Sequence, residues 1–190
     1  MASKTTTSIS RRTVLGAFAG IAAISAAPTY SRAAGFLRGA GDIRRIRLRS
    51  ARTGESVDTI YWIEGDYIPE ALAEIDYFMR DWRQNETIRY DRRNIDIMAA
   101  TLRLMDTTEP YHVVSGYRSP KTNAMLRQRS SGVAQNSYHM KGMAADLKLD
   151  SRSIHQMARA ALACKAGGVG KYGRSNFVHM DCGPVRTWNF

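Results

Sequence analysis

Ser137-Tyr138-His139-Met140-Lys141-Gly142-Met143-Ala144-Ala145-Asp146 holds an imidazole and a carboxylate seven residues apart, and Phe177-Val178-His179-Met180-Asp181 adds a second imidazole beside a second carboxylate. A separation of seven does not bring His139 and Asp146 together by simple helical spacing. They converge if His139 lies on a loop and Gly142 turns the chain into a strand that carries Asp146. On that strand Ala144 and Asp146 share one face, and Ala145 and Leu147 the other. In the second segment a strand puts His179 and Asp181 on the same side. Imidazole, carboxylate and imidazole form the ligand set of catalytic zinc, which keeps a fourth position for water or substrate. Zinc so held polarises a carbonyl and lowers the pKa of bound water to about 7. Spacing alone leaves a plain structural reading of both histidines open. His112, early in a strand, and His155, on an exposed helix, read as structural or solvated.

The elements that must position these groups follow from patterning. Ile43 to Arg49 alternates apolar and basic residues, as a half-buried strand does, and Gly54-Glu55 turns it into a second strand, Val57 to Ile63. Pro69 opens a helix with Leu72, Ile75, Phe78, Met79 and Trp82 on one face. Asn94 to Met105 is a second helix. Tyr111 to Val114 is a short strand, and Ser119-Pro120 starts a helix that ends near Gly132. Ala144 to Leu149 is a strand. Asp150 or Ser151 caps a helix that runs through Ala166 and is stopped by Gly167-Gly168. Gly167-Gly168-Val169-Gly170 follows a helix instead of a strand, so it reads as a tight turn and not a dinucleotide loop. Tyr172, just beyond it, is placed to line a cleft, and Phe177 to Asp181 is the last strand. The apolar residues at helical spacing between 72 and 105 are core. Helices first and short strands after favour an α+β domain.

Three motifs stand in order along the chain: Ser115-Gly116-Tyr117-Arg118-Ser119, then Ser137-x-His139-x-x-Gly142-x-Ala144-x-Asp146, then Phe177-Val178-His179-x-Asp181. In combination they resemble the zinc D,D-peptidase superfamily, which includes D-Ala-D-Ala carboxypeptidases and the hedgehog fold. More closely they resemble its murein endopeptidase K group, with agreement from about Arg47 to Trp188 that takes in Gly167 to Gly170 and Gly183-Pro184. The resemblance implies that His139, Asp146 and His179 bind Zn2+ and that Arg118 lies over the substrate carbonyl. A fixed guanidinium there would stabilise the oxyanion formed as water attacks; the alternative for Arg118 is a salt bridge that holds the following helix. Ser137 falls to a supporting role beside the ligands. One position departs from the pattern. Many carboxypeptidase-like relatives carry an acid three residues before the last zinc histidine, and here that residue is Asn176, which cannot accept a proton. Asp181 is the nearest acid, and either takes the proton as a base or orients His179.

The bulk composition bounds the rest. The chain has 190 residues, 44% hydrophobic and 24% charged, enough for one ordinary domain with a core. No apolar run reaches 18 residues, so nothing is long enough to span a bilayer. The first 34 residues contain Lys4, Arg11, Arg12 and Arg32, no acids, and an apolar stretch from Val14 to Ala27. That is the layout of a secretory signal, and Arg11-Arg12 ahead of a weakly apolar run marks the twin-arginine type; a mitochondrial-type transit peptide is the alternative. The murein endopeptidase K group is typically exported this way. Without those residues the balance is 24 basic against 17 acidic, a positive surface that suits an anionic partner. Export points away from nucleic acid and towards a carboxylate-rich wall or a phospholipid surface; a charged surface with no particular partner is the plain alternative. Cys164 and Cys182 are too few for a disulfide framework; one bridge, two buried thiols, or a weak metal ligand at Cys182 all fit.

The expectation is therefore a signal over 1–34 and an α+β domain over 35–190. The domain is hedgehog- or D,D-peptidase-like, with a small antiparallel sheet that bears zinc on one face beneath two N-terminal helices. The resemblance implies a periplasmic peptidase acting on amide bonds in peptidoglycan cross-links. Trimming of stem peptides by a D,D- or L,D-carboxypeptidase is one alternative, and a zinc-stabilised wall-binding protein with little hydrolysis another. Sequence does not separate a D-Ala-linked cross-link from one joining two diaminopimelates.

Overall fold

The computed structural model describes residues 43–190; the expected signal over 1–34 lies outside them. Alternation at the start of the domain becomes β1 (Ile43–Arg49), which buries Ile46 and Leu48 completely and leaves Arg45 and Arg47 on the wetter side, while Arg44 turns inward to pair with the buried Asp96. Gly54, at φ +73°, makes the turn back, and β2 (Ser56–Ile63) pairs antiparallel with β1. β3 (Asp66–Tyr67) extends that edge. Pro69 opens α1 (Pro69–Phe78), whose Leu72, Ile75 and Phe78 are buried. Trp82 lies beyond the helix and is 39% exposed, so it does not continue the α1 stripe as expected. α2 (Arg92–Leu104) starts where the Asp91 carboxylate accepts from the Arg93 amide, a side-chain N-cap.

β4 (Tyr111–Ser115), α3 (Pro120–Arg129) and β5 (Ala144–Lys148) come next. α4 (Ile154–Ala163) is capped by Ser153, which exchanges hydrogen bonds with Gln156 in a capping box. Asp150 and Ser151, the expected caps, are engaged elsewhere: the Asp150 carboxylate accepts from Arg49, and the Ser151 hydroxyl donates to Glu109. The helix also stops before Ala166, because Lys165 takes a positive φ of 50°.

β6 (Gly168–Tyr172), β7 (Phe177–Asp181) and β8 (Arg186–Asn189) complete one eight-stranded sheet in the order β3-β2-β1-β4-β5-β7-β6-β8. Three expectations are corrected here. The sheet is mixed and not small and antiparallel, since β1 pairs β4 and β6 pairs β8 in parallel. Three strands, β1 to β3, precede the first helix, where the expected order put helices first. The glycine-rich segment is itself a strand and not only a turn, for a reason given below.

The core forms where α2 packs on β1 and β7 and α4 on β6 and β7. Ala145, Leu147, Val169, Val178 and Met180 point into it from the sheet. Their in-between neighbours, Asp146, Gly170, His179 and Asp181, fall on the opposite face, because side chains alternate along a strand. Burial of one face thus fixes which residues the other displays. Among the described residues no helix is long and apolar enough to cross a membrane.

Candidate metal centre

Two rungs of the sheet carry the site. On the first, Ser115 of β4 pairs with Asp146 of β5, Asp146 with His179 of β7, His179 with Gly170 of β6, and Gly170 with Trp188 of β8. On the second, Ala144 pairs with Asp181, Asp181 with Gly168, and Gly168 with Arg186. His139 reaches the first rung from outside the sheet, on a 3-10 turn over Tyr138–Lys141 that precedes β5. The Ser137 hydroxyl accepts the His139 amide at 3.3 Å and starts that turn. Gly142 ends it with φ +64°, in the left-handed region that suits glycine.

His139 Nε2, His179 Nδ1 and Asp146 Oδ1 form a triangle with edges of 3.2, 3.2 and 2.9 Å. Each imidazole spends its other nitrogen on an acceptor: His139 Nδ1 lies 2.7 Å from the Gly116 carbonyl, and His179 Nε2 lies 2.9 Å from Asp181 Oδ2. Those nitrogens must donate. In the neutral rings Nε2 of His139 and Nδ1 of His179 are then left as lone pairs aimed at a carboxylate oxygen. All three residues are buried. Three electron-rich atoms facing one another out of water repel unless a cation sits among them, and the three groups are disposed to hold a metal ion. Tetrahedral zinc with bonds of about 2.0–2.1 Å spaces its ligands about 3.3 Å apart, close to the edges found.

The electrostatics of Asp146 and His139 agree with that arrangement. Burial opposes ionisation of Asp146, but the two histidines and Arg118 overcome it and hold the carboxyl well below its ordinary range. Burial lowers the pKa of His139, which favours the neutral, ligating form. It opposes charge on His179 too, yet Asp146 and Asp181 outweigh it and raise that imidazole.

Arg118 donates from Nη2 to Asp146 Oδ2 and from Nε to the Ser115 hydroxyl at 2.8 Å. Its salt bridge is thus with Asp146 and not with the helix that follows. Asp181 is fully buried. Besides facing His179, its carboxylate accepts from the Gly183 amide at 2.9 Å and from Arg186 at 3.0 and 2.7 Å. Burial works against its ionisation, but His179 and Arg186 prevail and lower its pKa strongly.

The triangle opens into a cleft of about 400 Å³. Tyr172 lines it, as the sequence suggested, together with Phe177, Trp188, Arg52, Arg83 and Arg186. Neither His112 nor His155 does: His112 sits 3.1 Å from Asp150, and His155 lies near Lys171. Asn176 holds φ +51° in the turn before β7, a conformation that asparagine tolerates better than most residues. Cys164 and Cys182 are both free and buried, which decides among the three readings of the pair. Burial and the nearby Asp91 carboxylate push the Cys182 thiol up to about 12, far from the thiolate that ligates metals.

Arg186, Trp188 and the two glycines opposite them were not identified from sequence. A Cβ on Gly168 would lie 2.6 Å from Asp181 Oδ2 and would strike Arg186, and one on Gly170 would strike the Trp188 indole. That indole in turn lies 5.3 Å from the His179 ring, centroid to centroid. Glycines on β6 leave room for the layer that backs His179. The available signal was the alternation Arg186-x-Trp188 matched to Gly168-x-Gly170.

A family model described as peptidoglycan L,D-endopeptidase MepK matches residues 38–188. The chain belongs to that family. The MepK of Escherichia coli K12, named peptidoglycan L,D-endopeptidase, is 43% identical over 145 residues, 76% of this chain and 80% of the relative. A protein of Haemophilus influenzae named probable peptidoglycan L,D-endopeptidase MepK is 36% identical over 155 residues, 76% of this chain and 78% of the relative. Among solved structures, the Serratia marcescens L-Ala D-Glu endopeptidase ChiX gives a TM-score of 0.39 at 16% identity, over 59% of this chain and 86% of that one, a likeness too slight to add to the MepK assignment.

Proposed function

We propose that this chain is an exported, zinc-dependent L,D-endopeptidase that opens peptide cross-links of peptidoglycan in the periplasm. As a member of the MepK family it is a peptidase of the cell wall. The observation that carries the zinc reading is the convergence of two imidazole lone pairs and a carboxylate oxygen, each ligand held by a further hydrogen bond. The name of the relatives also bears on the bond. A D-alanine-linked cross-link joins two D centres, whereas a link between two diaminopimelates joins an L centre to a D centre, so an L,D-endopeptidase fits the second. An endo-acting name likewise favours cross-links over terminal trimming.

Zinc among His139, Asp146 and His179 would supply a Lewis acid for the scissile carbonyl and a water of lowered pKa. Arg118, tied to Asp146 and Ser115, presents its guanidinium beside the ligand triangle, where it stabilises the carbonyl oxygen as that gains negative charge. Asp181 is assigned to orientation and not to proton transfer. Its carboxylate is enclosed and already accepts from Arg186, Gly183 and His179, which fixes the His179 tautomer that leaves Nδ1 free. Ser137 holds the turn that delivers His139. Export is supported by Arg11-Arg12 ahead of Val14 to Ala27, with residues 1–34 as the signal and 35–190 as the mature domain.

Digestion of purified sacculi, with and without chelator, tests the whole reading. Diaminopimelate-linked dimers should disappear on chromatography only when zinc is present. Loss of terminal residues alone would make it a carboxypeptidase, and unchanged fragments a wall-binding protein.

A further inference from the structure

Charge in the cleft is one-sided. Four arginines line it, Arg52, Arg83, Arg118 and Arg186, against one carboxylate, Asp146. Two of the four are already used, since Arg118 pairs with Asp146 and Arg186 with Asp181. Arg52 and Arg83 are different. Among the described residues neither guanidinium has a carboxylate within 4 Å. The acid that acts on Arg83, Asp81, spends its carboxylate on the Ser119 amide at 2.9 Å, the Ser119 hydroxyl at 2.7 Å and the backbone amide of Arg83 at 3.0 Å.

The two side chains are nonetheless held together. Both guanidinia lie over the same Trp82 ring, Arg83 at 4.3 Å and Arg52 at 5.8 Å from its centre, in a cation–π arrangement. Burial, then the charges of Arg52, Arg118 and Arg129, work against the positive form of Arg83, and the Asp81 carboxylate offsets them only in part. Paired cations stacked on an indole in the lining of a cleft, with no carboxylate in contact, form a receptor for a planar anion, and guanidinium suits carboxylate through two parallel hydrogen bonds.

The proposed substrate carries that anion. In a link between two diaminopimelates, the carbon that bears the scissile nitrogen also bears a free carboxylate, and the other diaminopimelate keeps a second at its far end. We propose that Arg52 and Arg83 form a carboxylate-binding subsite that seats a free diaminopimelate carboxylate beside the scissile amide and selects against amidated wall peptides. This inference rests on the endopeptidase reading for the identity of the anion, while the subsite itself rests on the unpaired arginines.

The test uses the full chain loaded with zinc and two purified dimers linked diaminopimelate to diaminopimelate, one with free carboxylates and one with them amidated. The native protein should favour the free form in kcat/KM by about 10- to 100-fold, the range of a charged hydrogen-bonded pair. Arg83→Gln should bring that ratio close to one, through KM more than kcat. If Arg83→Gln lowers the thermal midpoint, Arg52→Gln, at an exposed side chain, carries the same comparison. Equal cleavage of both dimers by the native protein, or the same loss on both in the variant, overturns the subsite. If the native protein cleaves neither dimer, the endopeptidase reading fails and binding of the two dimers decides: preference for the free form, abolished by Arg83→Gln, upholds the subsite, and indifference to amidation overturns it.

Discussion

Asp181 is the residue whose chemistry changes most once its surroundings are known. In the sequence it is an acid two positions from a histidine, equally suited to taking a proton or holding a ring. In the fold both of its oxygens are occupied and none of its surface meets water. A base must accept a proton from solvent or substrate within reach, and this carboxylate faces only protein. Asp181→Asn should therefore weaken zinc binding by about 10- to 100-fold, the usual cost of losing such a support. Saturating zinc should then restore most of the rate. Zinc titration and turnover on the same variant check this; a rate that stays about 10²- to 10⁴-fold down with zinc fully bound would return Asp181 to the role of base. His139→Ala serves as the reference, because a three-ligand site has none to spare and stoichiometric zinc should be lost outright.

At the scale of elements, the site depends on β6 as much as on the strands that bear ligands. Gly168→Ala would press a methyl group onto Asp181 and displace Arg186, the two groups that hold His179. The variant should lose zinc affinity and about 1–3 kcal/mol of stability, as overpacking does, though it alters no ligand. Metal content and a thermal melt read both effects, and an unchanged zinc affinity would mean that β6 is only scaffold. This strand also marks the limit of what the sequence reveals. β1 was legible because alternation with period two, set by one dry face, is strong there, and β2 because Gly54-Glu55 turns the chain back. The candidate ligands were legible through the three motifs in combination, since the spacing of His139, Asp146 and His179 alone left a structural reading open. β6 was not, because glycine has no preference for a strand and two glycines after a helix read as its end. β8 was missed for a similar reason: four residues after Gly183-Pro184 are too few to display a period. The partner of Arg118 lies 28 positions away across β4 and β5, a contact no local pattern contains.

At the scale of the whole molecule, the described domain and the first 34 residues make separate demands. The arginine pair should act as an address, so Arg11→Lys with Arg12→Lys keeps every charge yet should leave the precursor in the cytoplasm. Fractionation followed by immunoblotting checks this, and normal export of the double variant would show the signal to be of another kind. Cys164 and Cys182 bear on the same journey. They are the only cysteines in the chain, both are free, and both are buried. Removal of a structural disulfide typically costs a small exported domain 2–5 kcal/mol, about as much as its whole margin, but this fold has none to form. No oxidant and no disulfide-exchange partner stands between the nascent chain and its final shape. The architecture of the described domain rests on packing and hydrogen bonds, with no covalent cross-link that a reductant could break.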